Sequence, residues 1–285
     1  MNKNNFTVLL IRKVLYSMIF FFIKVFRPIN KIIFKFRNNK IRVNEIYYCP
    51  VCKTYPKFYV PLNIYYYFKA KQYGYKYFNT GEMGAKKTFN CPNCFANDTE
   101  RIIAYWIDEN IKNNKILRNS KLIHFAPEKA LSRKLYIDSE FFNYISADLY
   151  MKGVNYKVDI MNLPFENESF DCFICSHVLE HVENDDKAIS ELFRILNKNG
   201  FGILMAPIST AIEHTLEDPN IMTQEERWKY FGQNDHLRLY SHNDYVNKLE
   251  KYGFKVNQLG INYFGQEVFK SLSLKETGIL YVVEK

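Results

Sequence analysis

"KLIHFAPEKALSRKL", residues Lys121–Leu135, is the stretch on which the fold turns. Leu122–Ala126 is an apolar run of strand length, Pro127 bends the chain, and the residues from about Glu128 to Tyr136 have helical spacing. A strand passing through a tight turn into a helix is the repeating unit of doubly wound α/β sheets, and nucleotide-type ligands bind at such turns. This turn has no glycine. Ala126, Pro127, Glu128 and Ala130 stand where a Gly-rich loop would let the backbone close on a ligand.

The alternation continues on both sides. "NDTERIIAYWIDENIKN" precedes the turn with helical periodicity. After it come a strand "YISADL" ending near Asp148, a third "YKVDI" ending at Asp159 and Ile160, and a fourth "FDCFICSHV". The helix "DDKAISELFRILN" starts from an acidic first turn, "FGILMAPI" is a fifth strand, and "SHNDYVNKLEKYG" is a helix capped by Ser241 and closed by Gly253. "FKVNQLGINYF" and "GILYVVEK" supply the last two strands. Seven strands with crossover helices predict a Rossmann-like, mostly parallel sheet with helices on both faces over residues 98–285.

With 285 residues, 47% hydrophobic and 17% aromatic, the chain has ample material for such a core. The net charge of +9 is not spread over it. Residues 1–44 hold ten Lys/Arg and no Asp or Glu, which leaves the other 241 residues at −1. A basic nucleic-acid groove across the globular part is therefore not expected. Within the basic segment, Val8–Phe26 is strongly apolar, but its longest uncharged run, Val14–Ile23, is too short to cross a bilayer. On a helical wheel Arg12, Lys13, Lys24, Arg27 and Lys31 share one sector, opposite Ile11, Leu15, Met18, Phe22, Val25 and Ile29. This predicts an in-plane anchor on an anionic membrane surface through residues 1–40, bent near Pro28. A helix packed on the protein's own body is the alternative; a cleaved signal peptide is disfavoured by Lys24 and Arg27 behind the apolar run.

Four of the six cysteines form two matched pairs, Cys49 with Cys52 and Cys91 with Cys94. Two such knuckles complete the tetrahedral sulfur shell that Zn²⁺ prefers, so residues 45–97 are expected to be a zinc-ribbon-like module. Disulfides are the alternative, for which no secretory signal argues. Four thiolates close the coordination shell, which makes the metal structural. Cys172 and Cys175, inside a predicted strand, are expected to be buried small hydrophobes.

Residues 98–285 resemble the class I S-adenosylmethionine-dependent methyltransferases, most strongly over "ISADLY" to "LMAPI". The chain is similar in particular to a subgroup found among cell-surface polysaccharide genes, in which paired cysteines precede "HFAPE" and a segment like "FGQNDHLRLY" (Phe231–Tyr240) follows. The resemblance implies S-adenosylmethionine as cofactor, with Asp148 accepting from the ribose hydroxyls, Asp159 from the adenine amino group and Ile160 packing on the ring. It places the exit of the fourth strand, Ser176–His181, and so Ser176 and His177, at the sulfonium and methyl end. In the first motif His124, Ala126, Glu128 and Ala130 depart from the family's acid and glycines, and His124, Ala126 and Glu128 are the cofactor-binding candidates there. Glu128, at a helix start, is positioned either to meet the cofactor's ammonium or simply to cap the helix.

The connection Ser209–Tyr240 is dense in polar chemistry: His214, Glu217, Asp218, Arg227, Trp228, Asp235, His236 and Arg238. For a hydroxyl acceptor His236, oriented by Asp235, is the first candidate base and His181 the second. The implied enzyme is an O-methyltransferase acting on a saccharide or glycolipid, cytoplasmic and peripheral on the inner face of the membrane. A nicotinamide-dependent oxidoreductase is disfavoured because G-x-G-x-x-G is missing, whereas a degenerate, non-enzymatic scaffold at the membrane stays open.

Overall fold

The computed structural model describes residues 47–285 apart from residue 139. The basic segment, residues 1–44, and the membrane anchor expected of it lie outside the described residues. Among the described residues no helix is long and apolar enough to cross a membrane.

In chain order the elements are α1 (Ile64–Tyr73), α2 (Asp98–Lys112), β1 (Ser120–Phe125), α3 (Lys129–Ile137), β2 (Phe142–Asp148), β3 (Tyr156–Lys157), β4 (Phe170–Ser176), α4 (Asp185–Ile195) and β5 (Leu196–Met205). There follow β6 (Ile208–Ser209), β7 (Leu216–Glu217), α5 (Gln224–Phe231), β8 (Arg238–Ser241), α6 (His242–Lys251), β9 (Lys255–Leu259), α7 (Ile261–Phe264), α8 (Gln266–Leu272) and β10 (Leu280–Glu284). Seven strands form one sheet in the order β3-β2-β1-β4-β5-β10-β9, parallel except for β10, which runs against both its neighbours.

β1 and β4 lie in the middle of this sheet, and both faces above them are covered. That burial is why "LIHF" and "CFICS" are almost continuously apolar where a half-exposed strand would alternate. Cys172 and Cys175 are both fully buried there, as expected. Gly202 on β5 is required by the packing, because a Cβ built on it would sit 2.1 Å from the Phe173 ring. The helices begin where the sequence provides caps. Asn97 and Glu100 form a reciprocal capping box on α2, Thr223 and Glu226 another on α5, and Ser241 accepts the Asp244 N–H at the start of α6.

One expectation needs correction. The third strand is only Tyr156–Lys157, so Asp159 and Ile160 follow it instead of ending it. The connection Ser209–Tyr240 contains α5 and most of a second, three-stranded sheet in the order β6-β8-β7. Its two-residue strands are too short to show any periodicity. Trp228 of α5 is buried against Tyr65, Tyr66 and Tyr73, its ring stacked on Tyr73 at 6.1 Å, so the connection is anchored on α1.

The cysteine-bearing segment packs on the sheet domain through buried polar groups. Arg101 of α2 is fully buried and donates to the carbonyls of Phe89, Ala96, Thr88 and Leu272, with its guanidinium 3.9 Å from the centre of the Tyr59 ring. Glu82 receives the Tyr281 hydroxyl at 2.7 Å and meets His242 Nδ1 at 2.6 Å. An arginine with no solvent needs its donors matched, and these four carbonyls reach all three of its nitrogens.

Candidate functional site

The carboxyl edge of the parallel strands collects most of the residues expected to bind a cofactor. At the end of β1, Ala126 takes a left-handed conformation, φ 47°, and at the end of β4 His177 does the same at φ 56°. Non-glycine residues rarely hold such angles, and where they do the strain marks sites whose surroundings enforce it. The missing glycine of the first turn is therefore a substitution of residue without a change of conformation.

Glu128 precedes α3 at its N-cap position but makes no side-chain capping bond. Its Oε2 meets His124 Nε2 at 2.8 Å, and Nδ1 of the same ring meets the Tyr144 hydroxyl at 3.1 Å. Burial pushes the Glu128 carboxyl up, but the His124 hydrogen bond and charge outweigh it and hold the carboxyl below its usual range. Oε1 is buried without a hydrogen-bond partner, and so is the Ser176 hydroxyl. A buried carboxylate oxygen left unpaired fits a ligand that brings a donor, such as an ammonium group. His124 itself is fully enclosed, which corrects its expected contact with the cofactor: it holds Glu128 in place.

Asp148 Oδ1 accepts the N–H groups of Tyr150 and Met151, which fixes the carboxylate at the end of β2 beside the exposed Leu149 and Tyr150. Asp159 Oδ1 accepts the Met161 N–H, and Ile160 is buried. Asp148, Asp159, Glu128 and Ser176 thus fit S-adenosylmethionine as a set of acceptors at one sheet edge.

Beyond β5 lies a cavity of about 390 Å³. One wall is His177, Ala206, Pro207 and Ser209 from the strand exits, and the other is Tyr66, Tyr75, Tyr77, Phe78 and Phe89 from the segment that carries the cysteines.

Close to the His177 wall is a second group. His177 Nδ1 lies 3.3 Å from Glu180 Oε1, and His181 Nε2 lies 3.9 Å from the same oxygen. The rings of His181 and His236 meet edge to face with centres 4.8 Å apart. Asp235 was expected to orient His236, but its carboxylate is 3.6 Å from His181 Nδ1 instead. His236 is 2% exposed, so the order of the two candidate bases is reversed: the ring with an open side is His181. Burial lowers the His236 pKa to about 4, which leaves the ring neutral at physiological pH. His214 is remote from this group in bonding, 3.8 Å from Asp244 and largely exposed. Glu180, 1% exposed, is a residue that sequence reasoning missed, although it lies inside the "SHVLEH" segment. So is the role of Arg238, which is buried and donates to the carbonyls of Leu179, Val182 and Glu183, tying β8 to that segment.

The four paired cysteines come together. Cys49 Sγ lies 3.7 Å from Cys94 Sγ and Cys52 Sγ 3.8 Å from Cys91 Sγ, with all four within 4.8 Å of one another. Tetrahedral thiolates about 2.3 Å from zinc are ~3.8 Å apart, so the four sulfurs fit that ion. Each knuckle turns on a left-handed residue after its second cysteine, Lys53 (φ 54°) and Phe95 (φ 68°).

Residues 127–204 match the family described as "Methyltransferase domain". No curated protein matches the chain. Among solved structures, the YcgJ protein of Bacillus subtilis is 13% identical, with 63% of this chain and 95% of that one covered and a TM-score of 0.38. A possible histamine N-methyltransferase of Thermotoga maritima is 17% identical, with 66% and 99% covered and a TM-score of 0.37. The CurJ carbon methyltransferase is 14% identical, with 65% and 53% covered and a TM-score of 0.43. Likenesses this remote leave the chemistry to the site itself. The matched stretch runs from the first turn through β2 and β4 into β5, so the part of the chain that holds Glu128, Asp148, Asp159 and Ser176 is similar to a methyltransferase domain, which supports S-adenosylmethionine-dependent methyl transfer.

Proposed function

We propose that the protein transfers the methyl group of S-adenosylmethionine to a hydroxyl of a cell-surface saccharide or of its lipid-linked precursor. The observation that carries this reading is the aromatic cavity reached from His177 at the exit of β4. Tyrosine and phenylalanine faces suit the C–H faces of a sugar ring, and the polar atoms at the strand exits supply orientation. The sequence resemblance to enzymes of polysaccharide genes points to the same acceptor class.

When bound, the cofactor supplies a methyl group activated by a sulfonium. Glu128 and Ser176 hold its amino-acid end, Asp148 its ribose and Asp159 its adenine. Transfer then needs an in-line approach of the acceptor oxygen, which the cavity walls provide by position, and removal of the hydroxyl proton. Glu180, His181 and His236, beside the His177 wall, are the groups that stand nearest to promote that removal. Residues 1–44 would keep the enzyme at the inner membrane surface where lipid-linked acceptors reside, and zinc on the four cysteines would brace the aromatic wall.

The test is incubation of the full-length protein with methyl-labelled S-adenosylmethionine and separated lipid-linked saccharide fractions. Label in the saccharide, stable to mild base as an ether is, supports the proposal. Cofactor binding without label in any saccharide fraction overturns the acceptor assignment. Absence of cofactor binding favours a non-enzymatic scaffold.

A further inference from the structure

We propose that Glu180, His181 and His236 form a divalent-metal site beside the acceptor cavity, separate from the four cysteines. One ligand atom from each of the three residues lies within 4.8 Å of the others. His236 is 2% exposed and neither of its ring nitrogens has a hydrogen-bond partner; Glu180 is 1% exposed and its Oε2 has none either. Leaving so many polar atoms buried and unpaired is costly, on the order of 1–3 kcal/mol for each group, unless something coordinates them.

The surroundings aim these atoms. Glu180 Oε1 is engaged by His177 Nδ1, which leaves Oε2 to bind. His181 Nδ1 is the nitrogen facing Asp235, so Nε2 is the one directed at Glu180. A carboxylate behind one ring nitrogen and a metal before the other is the usual second-shell arrangement of a histidine ligand. The backbone joins the ligand-bearing segments: the Leu237 N–H donates to the Glu180 carbonyl at 2.8 Å, and Arg238 fixes the carbonyls of Leu179 and Val182. Ligands ~2.1 Å from an ion are roughly 3.0–3.4 Å apart, so the widest separation in the set must close by up to about 1.4–1.8 Å. His181, whose side chain is 34% exposed, has the room to move.

Two imidazoles and one carboxylate suit a divalent transition ion, and three protein ligands leave a coordination position open. Resting on the proposed function, that position would take the acceptor hydroxyl. The ion would lower its pKa and the proton would leave to water, so that the alkoxide oxygen forms the new bond to the methyl carbon while the carbon–sulfur bond breaks toward sulfur.

The test is titration of Co²⁺ into full-length protein whose cysteine site has been loaded with Zn²⁺, without cofactor or acceptor. One further equivalent is expected, with weak visible bands and no sulfur-to-cobalt charge transfer. His181→Asn and His236→Gln should each weaken binding by tenfold or more. Because His236 is buried, thermal melts of the apo variants accompany the titration, and the half-exposed His181 variant decides the matter if His236→Gln fails to fold. Binding unchanged by His181→Asn, or no binding beyond the cysteine site, overturns the proposal. Cobalt binding does not depend on methyl transfer, so this outcome and failure of the proposed function are distinguishable.

Discussion

Replacing Glu128 with glutamine tests whether this carboxylate holds the cofactor's ammonium group in place of the missing glycine turn. The change preserves shape and removes one charge. In the folded protein Oε2 is bonded to His124, while Oε1 is buried and unpaired, so the side chain has one oxygen available to a ligand. A hydrogen bond between ionised partners contributes about 1.5–3 kcal/mol. Converted at 1.4 kcal/mol per decade, S-adenosylmethionine affinity should fall by roughly 10- to 150-fold. Calorimetric titration reads this directly, and 5′-methylthioadenosine, which lacks the amino acid end, supplies the control. Its affinity should be the same for wild type and Glu128→Gln, because the lost interaction belongs to the ammonium group. Equal losses for both ligands would show that the substitution disturbs the whole edge of the sheet, and no loss for either would remove Glu128 from the site.

Other outcomes follow from particular residues. Ala126→Gly relieves a left-handed alanine but adds flexibility, so stability should change by less than ~1 kcal/mol, whereas Ala126→Val should cost at least about 2 kcal/mol in urea unfolding. Burial, with the neighbouring Glu128 charge next, raises the Glu100 pKa to about 7. Its folded pKa exceeds the model-peptide value of 4.5, so this stability is present below about pH 4.5 and lost as pH rises to about 7. The loss is about 3 kcal/mol, and Glu100→Gln should flatten the slope in that window; an unchanged slope refutes the assignment. Stripping zinc with a strong chelator should lower the melting temperature of the protein as one transition, since Arg101 joins both knuckle-side carbonyls and α8. Two separate transitions would show that the cysteine segment melts alone.

Much of the sheet was legible because its signals are local. "LIHF", "CFICS" and "GILYVVEK" owe their apolar runs to burial on both faces, and Asn97, Asn184 and Ser241 cap helices within three residues of themselves. The connection after β5 was not legible, because strands of two residues carry no period and α5 is held by aromatic contacts with α1, more than 150 residues away in sequence. The cofactor edge was half legible. Asp148 ends β2 as the sequence predicts, whereas Asp159 lies beyond the short β3, and nothing in "HFAPE" shows that His124 turns inward or that Ala126 takes a left-handed conformation. The histidine cluster was the least legible part. "SHVLEH" and "NDHLR" are about 50 residues apart, and only the folded β8 brings Asp235 to His181 and encloses His236.

The most direct measurement is calorimetric titration of S-adenosylmethionine and S-adenosylhomocysteine into the full-length protein and its Asp148→Ala variant. One site per chain for both ligands, weakened at least tenfold by the substitution, is predicted. Absence of heat for either ligand with the folded wild type, or binding indifferent to Asp148, would contradict the account.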